Sequence, residues 1–267
     1  MKKILIAIVS ALLCVGLTAT FAGCGKTNTV TVTGSSSVSP VMKELAAAYE
    51  KSHSGVRIVV TTSDSSAGIT DTQEGKNDFG MASRALKSGE TGVKSVKICD
   101  DGVVLVVNKN ETLTNVTSDE VYKLYKDGTA IGSITKAISR EDGSGTRDAF
   151  DGLIKGADGK KLSSVTAFSS AVSIQNSTGN VKTEVASTMA TVGYISMGAL
   201  DDTVKALTFN GVEGSAANVK NGTYTLARPF NVIVKEGADL SKEAQAFLDF
   251  ILSEEGQTIV SKNYIRL

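Results

Sequence analysis

The chain has 267 residues, of which 41% are hydrophobic and 21% charged, and this ordinary composition excludes a wholly disordered protein. Lys and Arg together number 28, as do Asp and Glu, there is no Trp, and aromatic residues make up 5% of the chain. Because a nucleic-acid-binding protein needs a basic surface or aromatic side chains on which bases stack, we expect no nucleic-acid partner.

The first predicted element is a targeting segment. Two lysines precede an apolar run at residues 4–17, which is too short to span a bilayer as a permanent helix. Residues 21–24, Phe-Ala-Gly-Cys, resemble a bacterial lipoprotein signal, with Phe in place of the usual Leu. We therefore expect a cleaved signal peptide at residues 1–23, acylation of Cys24, a polar tether at 24–29 and a protein held by lipid on the cell membrane, outside the cytoplasm. A retained membrane anchor helix is the alternative.

Strands and helices alternate along the rest of the chain. The predicted strands are residues 30–33, 56–62, 78–82, 102–108, 135–139, 192–196 and 230–234. The predicted helices are residues 40–51, 67–74, 118–126, a helix through Phe150 and Leu153, and 241–252. This alternation favours an α/β protein with a largely parallel sheet.

Two of these strands, 102–108 and 230–234, have the pattern of connections between domains. They predict a first lobe made of residues 30–101 and 229–267, and a second lobe made of residues 102–228.

Three loops share one design, since each is rich in Ser, Gly or Thr and each leads into a predicted helix. They are Gly-Ser-Ser-Ser at 34–37, Asp-Ser-Ser-Ala-Gly at 64–68 and Gly-Ser-Gly-Thr at 143–146. A helix N-terminus offers unpaired N–H groups and the positive end of the helix dipole, hydroxyls add donors, and Gly allows close approach. A single loop of this kind is most simply a helix cap. Three together predict a cage for a dehydrated oxyanion.

Arg140 precedes the third loop by a few residues. Its planar fork suits two oxygens of a tetrahedral anion, and we expect Asp142 to hold the fork in place. A surface salt bridge is the alternative role for Arg140.

A secreted serine hydrolase is the alternative function, because one of the loop serines could be a nucleophile. The single His of the chain, His53, follows a predicted helix and is interpreted as part of a solvated turn, and no Gly-x-Ser-x-Gly motif surrounds the loop serines. Once Cys14 is removed and Cys24 is acylated, only Cys99 remains, which we interpret as a buried strand residue. One His and one Cys do not form an ordinary zinc site. We therefore expect no enzymatic activity, no cofactor and no metal.

Residues 140–147, Arg-Glu-Asp-Gly-Ser-Gly-Thr-Arg, resemble the signature of the phosphate-binding proteins of bacterial phosphate ABC transporters. Further segments resemble the same family: residues 34–40, 65–69, 78–87, 192–196, 247–253 and 263–267. The resemblance implies a two-lobed periplasmic-binding-protein-like fold, with two mixed, mostly parallel sheets joined by two crossover strands. It also implies a monomer that holds inorganic phosphate between the lobes and delivers it to a membrane permease.

The resemblance also implies a set of phosphate-binding residues: Ser36, Ser37, Ser65, Ser83, Arg140, Ser144, Gly145 and Thr146. At the position of Ser83, the family supplies an Asp that accepts the proton of phosphate, and here Arg84 follows that serine. We expect phosphate to be preferred still, with Asp64 or a backbone carbonyl as the acceptor. A binder of another tetrahedral oxyanion, such as sulfate, is the closer alternative.

Overall fold

The computed structural model describes residues 28–267. The predicted signal peptide, the acylation of Cys24 and all but the last two residues of the predicted tether lie outside this range. Within it, no helix combines the length and the apolar character that a membrane span requires.

The described part of the chain contains eleven strands, eight α-helices and two short 3-10 turns. The strands are β1 (Asn28–Ser35), β2 (Val56–Ser63), β3 (Phe79–Ala82), β4 (Val93–Asn108), β5 (Asn115–Val116), β6 (Lys136–Arg140), β7 (Val172–Gln175), β8 (Thr191–Ser196), β9 (Val204–Ala206), β10 (Thr208–Phe209) and β11 (Ala227–Lys235). The helices are α1 (Ser39–Ser52), α2 (Ser65–Glu74), α3 (Ser118–Asp127), α4 (Gly145–Leu153), α5 (Thr178–Ser187), α6 (Ala216–Lys220), α7 (Lys242–Leu252) and α8 (Glu254–Val260). The 3-10 turns are Leu162–Ser164 and Met197–Ala199.

Each predicted strand and helix is present, and the largest difference in extent is at β4. The strand predicted at residues 102–108 is only the second half of a strand of 16 residues that begins at Val93. The sequence prediction missed the short strands β5, β7, β9 and β10 and the helices α5, α6 and α8. Their residues show no strong apolar period, so tertiary packing determines them.

Nine of these strands form two mixed sheets that share β4, and β5 and β10 form a separate parallel pair. In the first lobe the order is β2-β1-β3-β11-β4, with β1 parallel to β2 and β3, and with β11 antiparallel to β3 and β4. In the second lobe the order is β4-β8-β6-β7, with β6 parallel to both neighbours and with β9 pairing β4. This is the two-lobed, periplasmic-binding-protein-like fold that the family resemblance implied.

Each lobe has its own hydrophobic core. In the first lobe, apolar residues of α1, α7 and α8 pack on β1, β3 and β11, and Cys99 is buried among them. Burial raises the pKa of the Cys99 thiol, and the nearby Asp101 raises it further. In the second lobe, residues of α3, α4 and α5 pack on β4, β6 and β8. We propose that the boundaries predicted from the sequence, 30–101 with 229–267 against 102–228, divide the two lobes.

The helices α1, α2 and α4 each begin where a parallel strand ends. The carboxyl ends of β1, β2 and β6 therefore carry the three hydroxyl-rich loops. In open α/β sheets, ligands bind beyond the carboxyl ends of the parallel strands. Gly34, in the first loop, has φ +131°, and a Cβ there would collide with the Met81 carbonyl, so only glycine fits at this position.

Candidate anion-binding site

Loops from both lobes meet on one buried polar cluster. Ser36 and Ser37 come from the β1–α1 loop, and the hydroxyls of Ser37 and Thr146 share a hydrogen bond of 2.8 Å across the cleft. Of the residues for which the resemblance implied phosphate contacts, seven lie against one another in this cluster: Ser36, Ser37, Ser65, Ser83, Arg140, Gly145 and Thr146. The eighth, Ser144, is buried next to Gly145 and caps α4 by accepting from the Arg147 N–H. The two lobes are therefore closed on each other in this structure.

The first lobe contributes a short chain of hydroxyl groups. The Ser35 hydroxyl donates to the Ser83 hydroxyl at 3.0 Å, and the hydroxyls of Ser83 and Ser65 are 3.3 Å apart. The Ser83 N–H donates to the Ser65 hydroxyl at 3.1 Å. Sequence reasoning did not include Ser35, because the side chain of a strand-end residue gives no sign of which face it will occupy. Ser83 therefore lies in the middle of a chain of hydroxyl groups in the first lobe.

The second lobe contributes the guanidinium of Arg140, which is 2% exposed. Its Nε and Nη2 donate to the two carboxylate oxygens of Glu141, each at 2.7 Å. Nη1 donates to the Thr178 hydroxyl at 3.2 Å, and Nη2 also donates to the Ser36 hydroxyl of the other lobe at 3.1 Å. Arg140 is therefore held by a bidentate ion pair while it reaches across the cleft.

The expected role of Asp142 is wrong. Its side chain is 98% exposed and binds Arg147 at 2.6 Å, and Glu141 holds Arg140 instead. The physical reason is local, since β6 ends at Arg140 and the chain turns at residues 142–143, so the side chain at 142 points to solvent. Arg147 also donates to the Arg140 carbonyl at 3.1 Å, so Asp142 is linked to Arg140 only through Arg147.

Thr178 is a site residue that sequence reasoning missed. It is buried at the start of α5, its hydroxyl lies 2.8 Å from that of Ser37, and its N–H donates to the Ser36 hydroxyl at 3.3 Å. A signal was present, because residues 176–179, Asn-Ser-Thr-Gly, repeat the hydroxyl and glycine pattern of the other loops. The strand before these residues, β7, has no clear apolar pattern, so the loop was not recognised from the sequence. The cluster is therefore built by four helix N-termini, those of α1, α2, α4 and α5.

Asp64 caps α2, with its Oδ1 accepting from the Ala67 N–H at 2.9 Å. The same oxygen lies against Gly143, where a Cβ would stand 2.6 Å from it and where φ is +91°. The Ser66 N–H donates to the Gly143 carbonyl at 3.1 Å. The second and third loops thus make direct main-chain contact between the lobes, and Asp64 supports that contact.

An ion-pair cluster borders the site at its rim. Arg84, which follows Ser83, forks onto both oxygens of Glu90 at 2.7 and 2.6 Å. Its Nε lies 2.8 Å from Asp148 in the first turn of α4, and Lys87 lies 2.7 Å from the same carboxylate oxygen. Arg84 also donates to the Ser66 hydroxyl at 3.0 Å, and its Cγ lies beside Gly145, so it both borders the hydroxyl cluster and stabilises the closed arrangement of the lobes.

The single histidine of the chain is remote from the hydroxyl loops. His53 follows the last residue of α1 and stacks on Tyr49 with ring centroids 3.9 Å apart, whereas Ser36 and Ser37 precede the first residue of that helix. Fourteen helical residues separate the two ends by about 20 Å. In the described part of the chain, the site hydroxyls pair with other hydroxyls, with backbone N–H groups and with Arg140.

A family model described as a PBP superfamily domain matches residues 22–255. The chain belongs to this superfamily. Among solved structures, a Clostridium perfringens protein described as a phosphate ABC transporter substrate-binding protein, with bound phosphate, is 37% identical. The match covers 90% of this chain and 100% of that one, with a TM-score of 0.82. An ABC-type phosphate transport receptor of Vibrio cholerae is 29% identical over the same shares, with a TM-score of 0.70.

Curated relatives are named as phosphate-binding proteins as well. Phosphate-binding protein PstS of Bacillus subtilis is 28% identical over 88% of this chain and 80% of its own length. Phosphate-binding protein PstS 2 of Streptococcus agalactiae serotype V is 42% identical over 49% of this chain, and the match covers 45% of that protein, about half its length. The chain is a member of the phosphate-binding protein family of phosphate ABC transporters, which confirms the resemblance identified from residues 140–147.

Proposed function

We propose that this protein captures inorganic phosphate between its lobes, outside the cytoplasm, and delivers it to the membrane permease of an ABC transporter. The observation that carries the proposal is the buried Arg140, which forks onto Glu141 in its own lobe and donates to Ser36 in the other. An anion bound there contacts both lobes, so it stabilises the closed state by contacts that an open state lacks.

The chemistry of the cluster supports an oxyanion stripped of water. Four helix N-termini direct N–H groups and positive dipole ends at it, and the hydroxyls supply further donors. Burying a charge without hydrogen-bond partners is costly, and the donors of this cluster need acceptors. A ligand with several acceptor oxygens is therefore the kind that binds there with favourable free energy. A tetrahedral oxyanion meets this requirement, and the names of the relatives indicate phosphate.

We propose further that the protein binds phosphate as a monomer and without turnover. Isothermal titration calorimetry with phosphate, run in parallel with sulfate, tests the function directly. We expect a one-to-one isotherm with phosphate and weaker binding of sulfate. Absence of heat with phosphate would contradict the proposal, and hydrolysis of a phosphate ester by the purified protein would favour the serine hydrolase instead.

The Ser83 hydroxyl gives a prediction on selectivity. At neutral pH phosphate retains a proton that sulfate lacks, and a carboxylate in a dry site accepts that proton but repels sulfate. Ser83→Asp is therefore expected to weaken sulfate binding by about tenfold relative to phosphate, because a hydroxyl accepts or donates but a carboxylate only accepts. Competition of sulfate against phosphate measures the ratio.

Asp64→Asn is the companion variant, because asparagine also caps helices and leaves α2 intact. A lowered phosphate-to-sulfate ratio in this variant identifies Asp64 as the acceptor of the phosphate proton. An unchanged ratio leaves a backbone carbonyl as the acceptor. If Ser83→Asp fails to raise the ratio, Ser83 does not face the protonated oxygen.

The lipid anchor remains a proposal on residues 21–24. Cys24→Ser is expected to abolish acylation, because serine offers no thiol, and to leave the precursor uncleaved or the protein released from the membrane fraction. Mass spectrometry of the native protein and fractionation of cells measure both. An unmodified N-terminus at a residue other than Cys24 would rule out the anchor.

A further inference from the structure

We infer that Arg228 is a positioning residue for the anion site. It fixes Ser83 and Arg84, which we call the Ser83 segment, to the crossover strands β4 and β11, and so orients the Ser83 hydroxyl. This inference rests on the proposed function, because Ser83 matters only if the hydroxyl cluster binds the anion. Nothing in the sequence patterns indicated it, since Arg228 lies in an ordinary strand.

Arg228 forms a buried ion pair where the two crossover strands meet. It lies opposite Asp101 in the register of β11 on β4, and its Nε and Nη2 donate to Asp101 Oδ2 at 3.3 and 3.1 Å. The side chains are 2% and 0% exposed. The other carboxylate oxygen accepts from the hydroxyl of Ser196, at the end of β8 in the second lobe, at 2.8 Å. The pair therefore connects strands of both lobes.

The remaining arm of Arg228 points to the site. Its Nη1 donates to the Ser83 carbonyl at 3.3 Å. Three residues further along β11, the Asn231 amide donates to the Arg84 carbonyl at 2.9 Å. Two successive carbonyls are thus fixed by side chains of one strand. Because the Ser83 hydroxyl bonds to Ser35 and to Ser65, a shift of this segment would misplace the whole hydroxyl chain.

An ion pair at this depth is poorly explained by stability alone. Taking both charges out of water offsets much of their attraction, and apolar residues of similar volume often stabilise a core as well or better. The cost is visible in Asp101, since burial raises the pKa of its carboxyl to about 6, although Arg228 and the Ser196 hydroxyl act in the opposite direction. The orientation of the Ser83 segment is the gain that a pair of apolar residues would not supply.

A double-mutant cycle tests this role, using Ser83→Ala, Arg228→Met and the combined variant, with phosphate affinity from calorimetry and melting temperature as the folding control. Each single change is expected to lower phosphate affinity by about tenfold. The combined variant is expected to bind only slightly more weakly than Arg228→Met alone, because a displaced Ser83 hydroxyl no longer contributes to binding and its removal costs no further affinity. A merely structural arginine would not produce this coupling. Arg266→Met, which removes an exposed partner of Glu254, is the matched control.

Independent effects that multiply, or an Arg228→Met affinity within about twofold of wild type, would overturn the inference. If Arg228→Met does not fold, Arg228→Lys replaces it, since lysine keeps the charge but cannot fork. A lowered affinity of Arg228→Lys, with little further loss when Ser83→Ala is added, supports the inference, and wild-type affinity or losses that multiply overturn it. Wild-type protein that binds no phosphate would instead overturn the proposed function, so the two failures are distinguishable.

Discussion

Arg140→Ala is expected to lower phosphate affinity by about 30-fold or more, the largest effect of any single side chain at the site. Removing one partner of a buried charge-assisted pair costs about 2–5 kcal/mol, and about 1.4 kcal/mol is tenfold in affinity. The change also leaves the Glu141 carboxylate without its partner close to the anion, which adds repulsion. Titration calorimetry of the purified variant measures the loss.

Arg266→Ala is the matched control, because Arg266 also forks onto a glutamate, Glu254, but lies far out on the surface. It should bind phosphate as the wild type does. Thermal melting of both variants without phosphate separates a binding defect from unfolding. A folded Arg140→Ala protein with wild-type affinity would remove Arg140 from the site.

Gly145→Ala is expected to impair lobe closure and to reduce phosphate affinity by about tenfold. A Cβ at Gly145 would stand 2.5 Å from the Ser65 hydroxyl and 2.7 Å from the Ser83 hydroxyl, both in the other lobe. Those hydroxyls escape the collision only by leaving the hydrogen bonds that order them. Small-angle scattering with saturating phosphate should show a less compact particle than the wild type.

Gly152→Ala is the control on the same helix, since a Cβ there meets nothing within 4 Å. Both changes place alanine in helical backbone, where it is favoured over glycine, so neither should lower the stability of the free protein. If Gly145→Ala binds phosphate and closes like Gly152→Ala, the lobes do not approach at Gly145 in the bound state.

Local chemistry made the hydroxyl loops predictable. The sequence shows Ser and Gly before helix starts. In the structure the loops at 34–37 and 64–68 lie together because the parallel strands β1 and β2 end at one edge of the first sheet, and the loop at 143–146, after β6 of the second sheet, meets them across the closed cleft. The partner of Arg140 was not predictable in the same way. Glu141 and Asp142 are both acidic neighbours, and only the turn after β6 decides which carboxylate faces the guanidinium.

Long-range placement explains what the sequence did not indicate. Ser35 and Arg228 reach the site through strand pairing, which brings residues far apart in the chain within hydrogen-bond distance of Ser83. The first half of β4 escaped prediction for a similar reason. Residues 93–101 pair with β11 along almost their whole length, but the register shifts between Phe230 and Asn231 and buried and exposed residues do not alternate regularly. The sequence of this half therefore shows no apolar run that would predict a strand.

The burial of Cys99 makes the folded protein suited to selective chemical labelling. From residue 25 onward it is the only cysteine. It has no exposed surface, and burial raises the pKa of its thiol, so alkylating reagents should not modify it. A cysteine introduced in place of Asp142, on the rim between the lobes, would then be the single reactive thiol from residue 25 onward. A dye attached there changes its surroundings when the cleft opens or closes, which converts ligand occupancy into an optical signal.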